Sequence, residues 1–180
     1  MKKIFIFLSI IVMLTGCSNN QSLSLISKHH AKTNIPLIDT PVEDFLIEME
    51  YKKEKYIDWE NNIFMENNSI YNLDLTGKEK NYYFYNGGLI VTALDNKIVA
   101  LHQSGFQTSS LDTPYLLLNA LGKDYSILLN YEPEIIQTDD YTYFLKWETK
   151  NAFVVLRTSW WDGLTDWKIC RVWSYCAYKK

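Results

Sequence analysis

Apolar and polar positions alternate most clearly over residues 141–147. Tyr141, Tyr143, Leu145 and Trp147 are interleaved with Thr142 and Lys146, and Glu148 follows. A period of two puts the apolar set on one face of a strand and leaves the other face wet. The pattern recurs with turn residues between the runs. Residues 81–85 read as a strand, Asn86-Gly87-Gly88 as a turn, residues 89–94 as the next strand, Asp95-Asn96 as a tight turn, and 97–102 as its partner. Further on, 153–161 pairs back on 141–147 across Lys150-Asn151. Asp162 to Asp166 then turns the chain into a last strand over 167–175.

Helical spacing is found at two places, each behind a similar start. Ile38-Asp39-Thr40-Pro41 and Leu111-Asp112-Thr113-Pro114 are near copies. In each, Thr can cap the helix and Pro can open it, where its missing N–H costs nothing. Glu43 stands where a capping box with Thr40 would need it. Val42, Phe45, Leu46 and Met49 then fall on one helical face, and the Glu/Lys-rich continuation to Tyr56 favours helix. Phe45, Ile47, Met49 and Tyr51 also alternate, so a strand over 42–56 stays open. After the second start, residues 115–121 form a short apolar helix with Gly122 as its left-handed cap. The fold class expected is α+β: antiparallel sheet with short helices on one face, in two tandem helix-then-meander repeats over 36–108 and 109–180 that form one globular unit.

The first residues belong to a different regime. Lys2 and Lys3 precede an apolar run from Ile4 to Leu14, the layout of a signal peptide and too short for a membrane-spanning helix. Leu14-Thr15-Gly16-Cys17 resembles the bacterial lipobox, in which the cysteine is acylated and becomes the first mature residue. The resemblance implies a signal peptide over 1–16 and a lipid such as palmitate on Cys17, and the polar run that follows to residue 35, with His29 and His30 read as solvated, reads as a flexible tether. It also implies a cell-envelope location, at the outer membrane facing the periplasm if the source is Gram-negative, because Ser18 is not the Asp that retains lipoproteins. More than one acyl chain gives stable anchoring.

Composition narrows the function classes. Lys2 and Lys3 leave with the signal, so 18 basic residues fall to 16 against 21 acidic ones, and the charge moves from −3 to about −5. No basic stripe suggests a nucleic-acid partner. Tyr (13), Trp (6) and Phe (8) are abundant and Gly (7) is sparse, which favours β-structure. With Cys17 acylated, Cys170 and Cys176 remain, and an exported chain would tend to pair them. Six residues along one straight strand span about 20 Å, whereas a disulfide needs Cα atoms within about 7 Å, so pairing requires a turn between them.

Asp112-Thr113-Pro114, then Asn119-Ala120-Leu121-Gly122-Lys123-Asp124, then Tyr143-Phe144-Leu145-Lys146-Trp147, resemble one repeat of the β-lactamase-inhibitor-protein-like fold. Asp124 stands where that family usually has Pro, and the first half lacks the Leu-Gly turn. The resemblance implies a concave antiparallel sheet backed by helices and a protein-binding role.

Catalytic constellations are scarce. His102 and Ser104 read as strand-end and turn residues, and the carboxylate pairs Glu132/Glu134 and Asp139/Asp140 as solvated loop charge. Ser159 to Trp167 is similar in composition to the Asp-box hairpin of sialidase-type propellers, but Asp162 abuts Gly163 and there is one copy, so it reads as a plain hairpin turn. No metal site, cofactor or enzyme activity is expected. Adjacent Trp160 and Trp161 must point to opposite faces of a strand, so one is left for a partner. With Asp162 and Trp167, and Trp59 as a second location, they are the candidate contact residues. The function expected is a membrane-anchored protein-binding module, an inhibitor or immunity protein against a periplasmic toxin or enzyme. The alternative is an accessory lipoprotein of an outer-membrane assembly or secretion complex.

Overall fold

In the computed structural model, which describes residues 29–58, 78–85, 87–106, 110–159 and 166–180, one antiparallel sheet runs through the whole body. Its strands are β1 (Tyr56–Asp58), β2 (Lys80–Phe84), β3 (Leu89–Leu94), β4 (Lys97–Ser104), β5 (Glu134–Gln137), β6 (Thr142–Glu148), β7 (Ala152–Ser159) and β8 (Arg171–Lys179). Their order across the sheet is β1-β2-β3-β4-β8-β7-β6-β5. Each half is therefore a four-stranded meander, and the two meet where β4 pairs β8, from Ala100–Tyr178 to Ser104–Ser174. Read outward from that seam, both halves run in the same sense. Helix α1 (Val42–Tyr51) precedes the first meander; α2 (Pro114–Ala120) and α3 (Lys123–Ser126) precede the second. The class is α+β, as the periodicity predicts.

The helices cover one face. Val42 and Phe45 of α1, Leu117 and Leu118 of α2, and Tyr125 of α3 bury against Phe84, Val91, Ile98, Leu145, Trp147, Val154, Leu156 and Tyr175. Each fully buried large apolar side chain stabilises by roughly 1.5–3 kcal/mol. Trp147 is wholly buried and its indole N–H donates to Tyr131 O at 3.0 Å. The Tyr175 hydroxyl donates to that of Tyr125 at 2.9 Å, tying β8 to α3. The other face carries a smaller apolar cluster, Ala100, Phe144, Val155, Cys176 and Tyr178. Val154, Val155 and Leu156 are all buried, the signature of a strand enclosed on both faces. The wet face expected for residues 141–147 is interrupted in the same way by buried Phe144.

Several boundaries differ from expectation, each for a local reason. Helix α1 ends at Tyr51, Lys53 turns at φ 60°, and Tyr56–Asp58 becomes an edge strand, so residues 42–56 hold both a helix and a strand. The Thr40 cap does not form: its hydroxyl donates to Leu37 O at 2.6 Å, and Pro41 occupies the cap position with no side-chain bond. Thr113 does cap, accepting from Leu116 N at 3.3 Å. Gly122 (φ 104°) opens α3, and α2 is capped by Leu121. Strand β5, read as loop charge, is a short exposed edge. The last strand starts at Arg171, because Asp166 accepts from Lys168 N and folds residues 167–169 into a 3-10 turn. The expected tether is shorter than residues 17–35. Ala31 N donates to Glu148 O at 2.7 Å, Asn151 bonds Ile35 N and O through its side chain, and Ala31 and Ile35 are buried. His29 and His30, read as solvated, lie against Glu132 O and the Glu148 carboxylate.

Candidate functional site

Two concavities differ in chemistry. The first lies at the outer end of β6, β7 and β8. Between Arg157 and Thr158 the ladder slips: Arg157 faces Ser174 while Thr158 faces Val172. Trp173 is the unmatched residue of a β-bulge, a device that re-aims a side chain. It remains 36% exposed and lines a pocket of about 400 Å³ with Tyr141, Thr142, Arg157, Thr158 and Ser159. Asp139 holds the backbone of two lining residues, Tyr141 and Thr142. Its carboxylate accepts from Tyr141 N at 2.9 Å and Thr142 N at 2.7 Å. The bond from Tyr141 N first, then those from Thr142, and the nearby Arg157 guanidinium hold its pKa below the usual carboxylate value. Ser159 is buried, and its hydroxyl finds no hydrogen-bond partner among the described residues.

The second is a broader groove of about 610 Å³ between α1 and β1, lined by Glu43, Leu46, Ile47, Glu50, Glu54, Lys55 and Tyr56. Ile47 and Tyr51 stand one turn apart on the helix and are 66% and 89% exposed. Tyr56, 40% exposed, continues the lining onto the edge strand. Carboxylates rim it.

The expected site residues are distributed as follows. Cys17, Trp59, Trp160, Trp161 and Asp162 lie outside the described residues. Trp167 is half-buried and packs edge-to-face on Trp147 at 5.4 Å, with Lys168 over its ring, so it is committed to the core. The expected Cys170–Cys176 bond is absent: both thiols are free and buried. Cys170 ends the 3-10 turn and belongs to the helix-side core, while Cys176 sits mid-strand in the cluster on the opposite face. No turn separates them, so the length of an extended strand keeps them apart. Burial pushes the Cys170 thiol up to about 12 and Cys176 well above its ordinary value, so neither is a ready nucleophile. His102, directly opposite Cys176 in the ladder, is pushed down to about 4 by burial. Its Nδ1 has no partner among the described residues.

Trp173 and Arg157 were not singled out by sequence. A bulge leaves no signature in periodicity, because the extra residue only becomes extra once the partner strand is known. One signal was available: Arg157 and Arg171 are the chain's two arginines, and both fall beside this pocket's strand ends.

Residues 1–18 match the family model for the prokaryotic membrane lipoprotein lipid attachment site, and Cys17 is the cysteine within that span. The chain is thus a lipid-anchored lipoprotein of the bacterial cell envelope. No curated protein and no solved structure gives a significant match.

Proposed function

We propose that the anchored body is a non-enzymatic protein-binding module on the periplasmic side of the outer membrane, an inhibitor or immunity protein that engages a basic toxin or enzyme. The observation that carries this is the α1–β1 groove. Ile47 leaves its apolar surface outside the fold in a groove that Glu43, Glu50 and Glu54 line beside Lys55, and Tyr51 is exposed one turn further along the helix. Aromatic and aliphatic anchors inside a charged rim are the composition of an interface hot spot, and an acidic rim steers a basic partner. The strand plan adds support. The β-lactamase-inhibitor-protein resemblance implies an antiparallel sheet backed by helices, and helices cover one face of the sheet here.

The test is capture from envelope extract by the full processed chain, with Ile47→Asp and Tyr51→Ala beside it. Each variant is expected to weaken the captured partner by at least about tenfold while leaving the thermal midpoint unchanged. The chain should also rescue growth against a toxin encoded beside it. Capture that ignores both substitutions, or no rescue, overturns the reading.

A further inference from the structure

We propose that the pocket at the β6–β8 end binds one ring of a neutral sugar, its C–H face against the aromatic wall and its hydroxyls against the polar one. This inference goes beyond the protein-binding reading, which rests on the α1–β1 groove, and neither needs the other.

A buried hydroxyl gives the first indication. Ser159 lines the pocket at 9% exposure, and its oxygen has no hydrogen-bond partner among the described residues. A buried hydroxyl left unpaired is unfavourable, and a ligand filling the pocket would satisfy it. A serine hydroxyl donates one bond and has lone pairs to accept others, so the group that answers it best does both. The neighbouring polar groups suit the same partner. Thr142 spends its hydroxyl proton on the Asp139 carboxylate and keeps lone pairs for a donor. The exposed guanidinium of Arg157 and the indole N–H of Trp173 are donors. Thr158 takes no part: it is wholly buried and its hydroxyl donates to Tyr143 O at 3.1 Å. The wall thus sets donors beside acceptors, and a polyol presents the same mixture in return.

Charge favours a neutral ligand. Arg157 lies close enough to Asp139 to lower the carboxyl's pKa, so the two offset each other. No other ionised side chain among the described residues lines the pocket. A ligand with a full charge would find no uncompensated partner there. The rest of the lining is the rings of Tyr141 and Trp173 and the threonine methyl groups, with Trp173 set there by the bulge opposite Arg157. An aromatic face carries partial negative charge and attracts polarised C–H groups. The axial C–H bonds of a pyranose, flanked by oxygens, are such groups. A purely apolar body would cover the rings and leave Ser159 unanswered, whereas a sugar ring has one apolar face and a rim of hydroxyls. A volume near 400 Å³ is at the small end of ligand pockets and suits a single ring with its substituents.

The experiment titrates the full processed, acylated chain, in micelles of a detergent without a sugar headgroup, with the methyl glycosides of glucose, galactose and N-acetylglucosamine. Methyl glucuronide is the charged control and cyclohexylmethanol the apolar one. Tryptophan fluorescence and saturation-transfer NMR read the binding. At least one neutral glycoside is expected to bind saturably, and both controls at least about tenfold more weakly. For that glycoside, Trp173→Ala should cost about tenfold or more, while Trp173→Phe, which keeps an aromatic face, should retain most of the affinity. Ser159→Ala should cost a few-fold with the thermal midpoint unchanged or raised, because it removes a buried, unpaired hydroxyl. The disaccharide of the same sugar distinguishes the source: tighter binding than the monosaccharide assigns the pocket to a glycan chain, and equal binding to a single free or terminal sugar. No saturable binding of any of the three glycosides, a control that binds as well as they do, or indifference to Trp173→Ala or to Ser159→Ala overturns the proposal. Any of these, with Ile47-dependent capture intact, leaves the protein-binding reading standing.

Discussion

In the first half of the sheet, a helix of 10 residues buries only Val42 and Phe45 and leaves Ile47 and Tyr51 outside. In the second half, a helix of 7 residues buries Pro114, Leu117 and Leu118. The first helix lacks a side-chain cap and its edge strand has three exposed residues; the second is capped by Thr113 and backed by Trp147, the largest fully buried side chain. The strand plan is common to both halves, and the allocation of side chains is not. Topology decides where each element goes. How many residues an element must spend on the core decides how many are left over to meet something else. On this reading the second half is the scaffold and the first half is the display surface.

Replacing side chains on either side is the strongest way to break that contrast. Trp147→Ala removes the indole and orphans Tyr131 O, and should cost about 3–5 kcal/mol in urea unfolding. Tyr51→Ala should stay within about 0.5 kcal/mol. Comparable losses would erase the distinction. Next in size is a pH effect at His102, on β4 beside the seam. Its folded pKa of about 4 lies below the value of about 6.5 expected when unfolded, so the unfolded chain takes up the proton first. Its contribution is therefore complete above about pH 6.5 and is lost as pH falls toward 4, by roughly 3 kcal/mol. His102→Leu should flatten that part of the urea-midpoint profile, and an unchanged slope would place the titration elsewhere. Smaller still are the caps. Thr113→Ala should cost about 1 kcal/mol. Thr40→Ala should cost about half that or less, since Leu37 O still accepts from Thr40 N. Equal effects would mean that the two starts work alike. The smallest expected effect is none: a reductant should not move the unfolding midpoint, because Cys170 and Cys176 are free.

Most of the strands were legible in the chain. Alternation and the Asp95-Asn96 turn, both residues at positive φ as a tight hairpin requires, located β3 and β4 almost to the residue. The two edge strands were not legible. Tyr56–Asp58 and Glu134–Gln137 are short, and exposed or half-exposed throughout, so no burial pattern is written into them. Thr40 and Thr113 sit in near-identical local sequences, yet only one caps. The difference is tertiary: Asp39 N and Val42 N pair with Ile98 O and Asn96 O of the β3–β4 hairpin, fixing the chain before the helix in a shape that turns Thr40 away. The candidate sites were less legible than the fold. The groove was hidden because Ile47 and Tyr51 belong to an alternation that also suggested a strand. The pocket depends on a slip in register that only the partner strand reveals.

The backbone bonds that clamp Ala31 to Glu148 and Lys150 to Thr33 set the length of the leash. With His29 already at the body, eleven residues separate it from Cys17, and a chain of that length spans at most about 40 Å. The lipid on Cys17 therefore holds the body no farther than that from the bilayer.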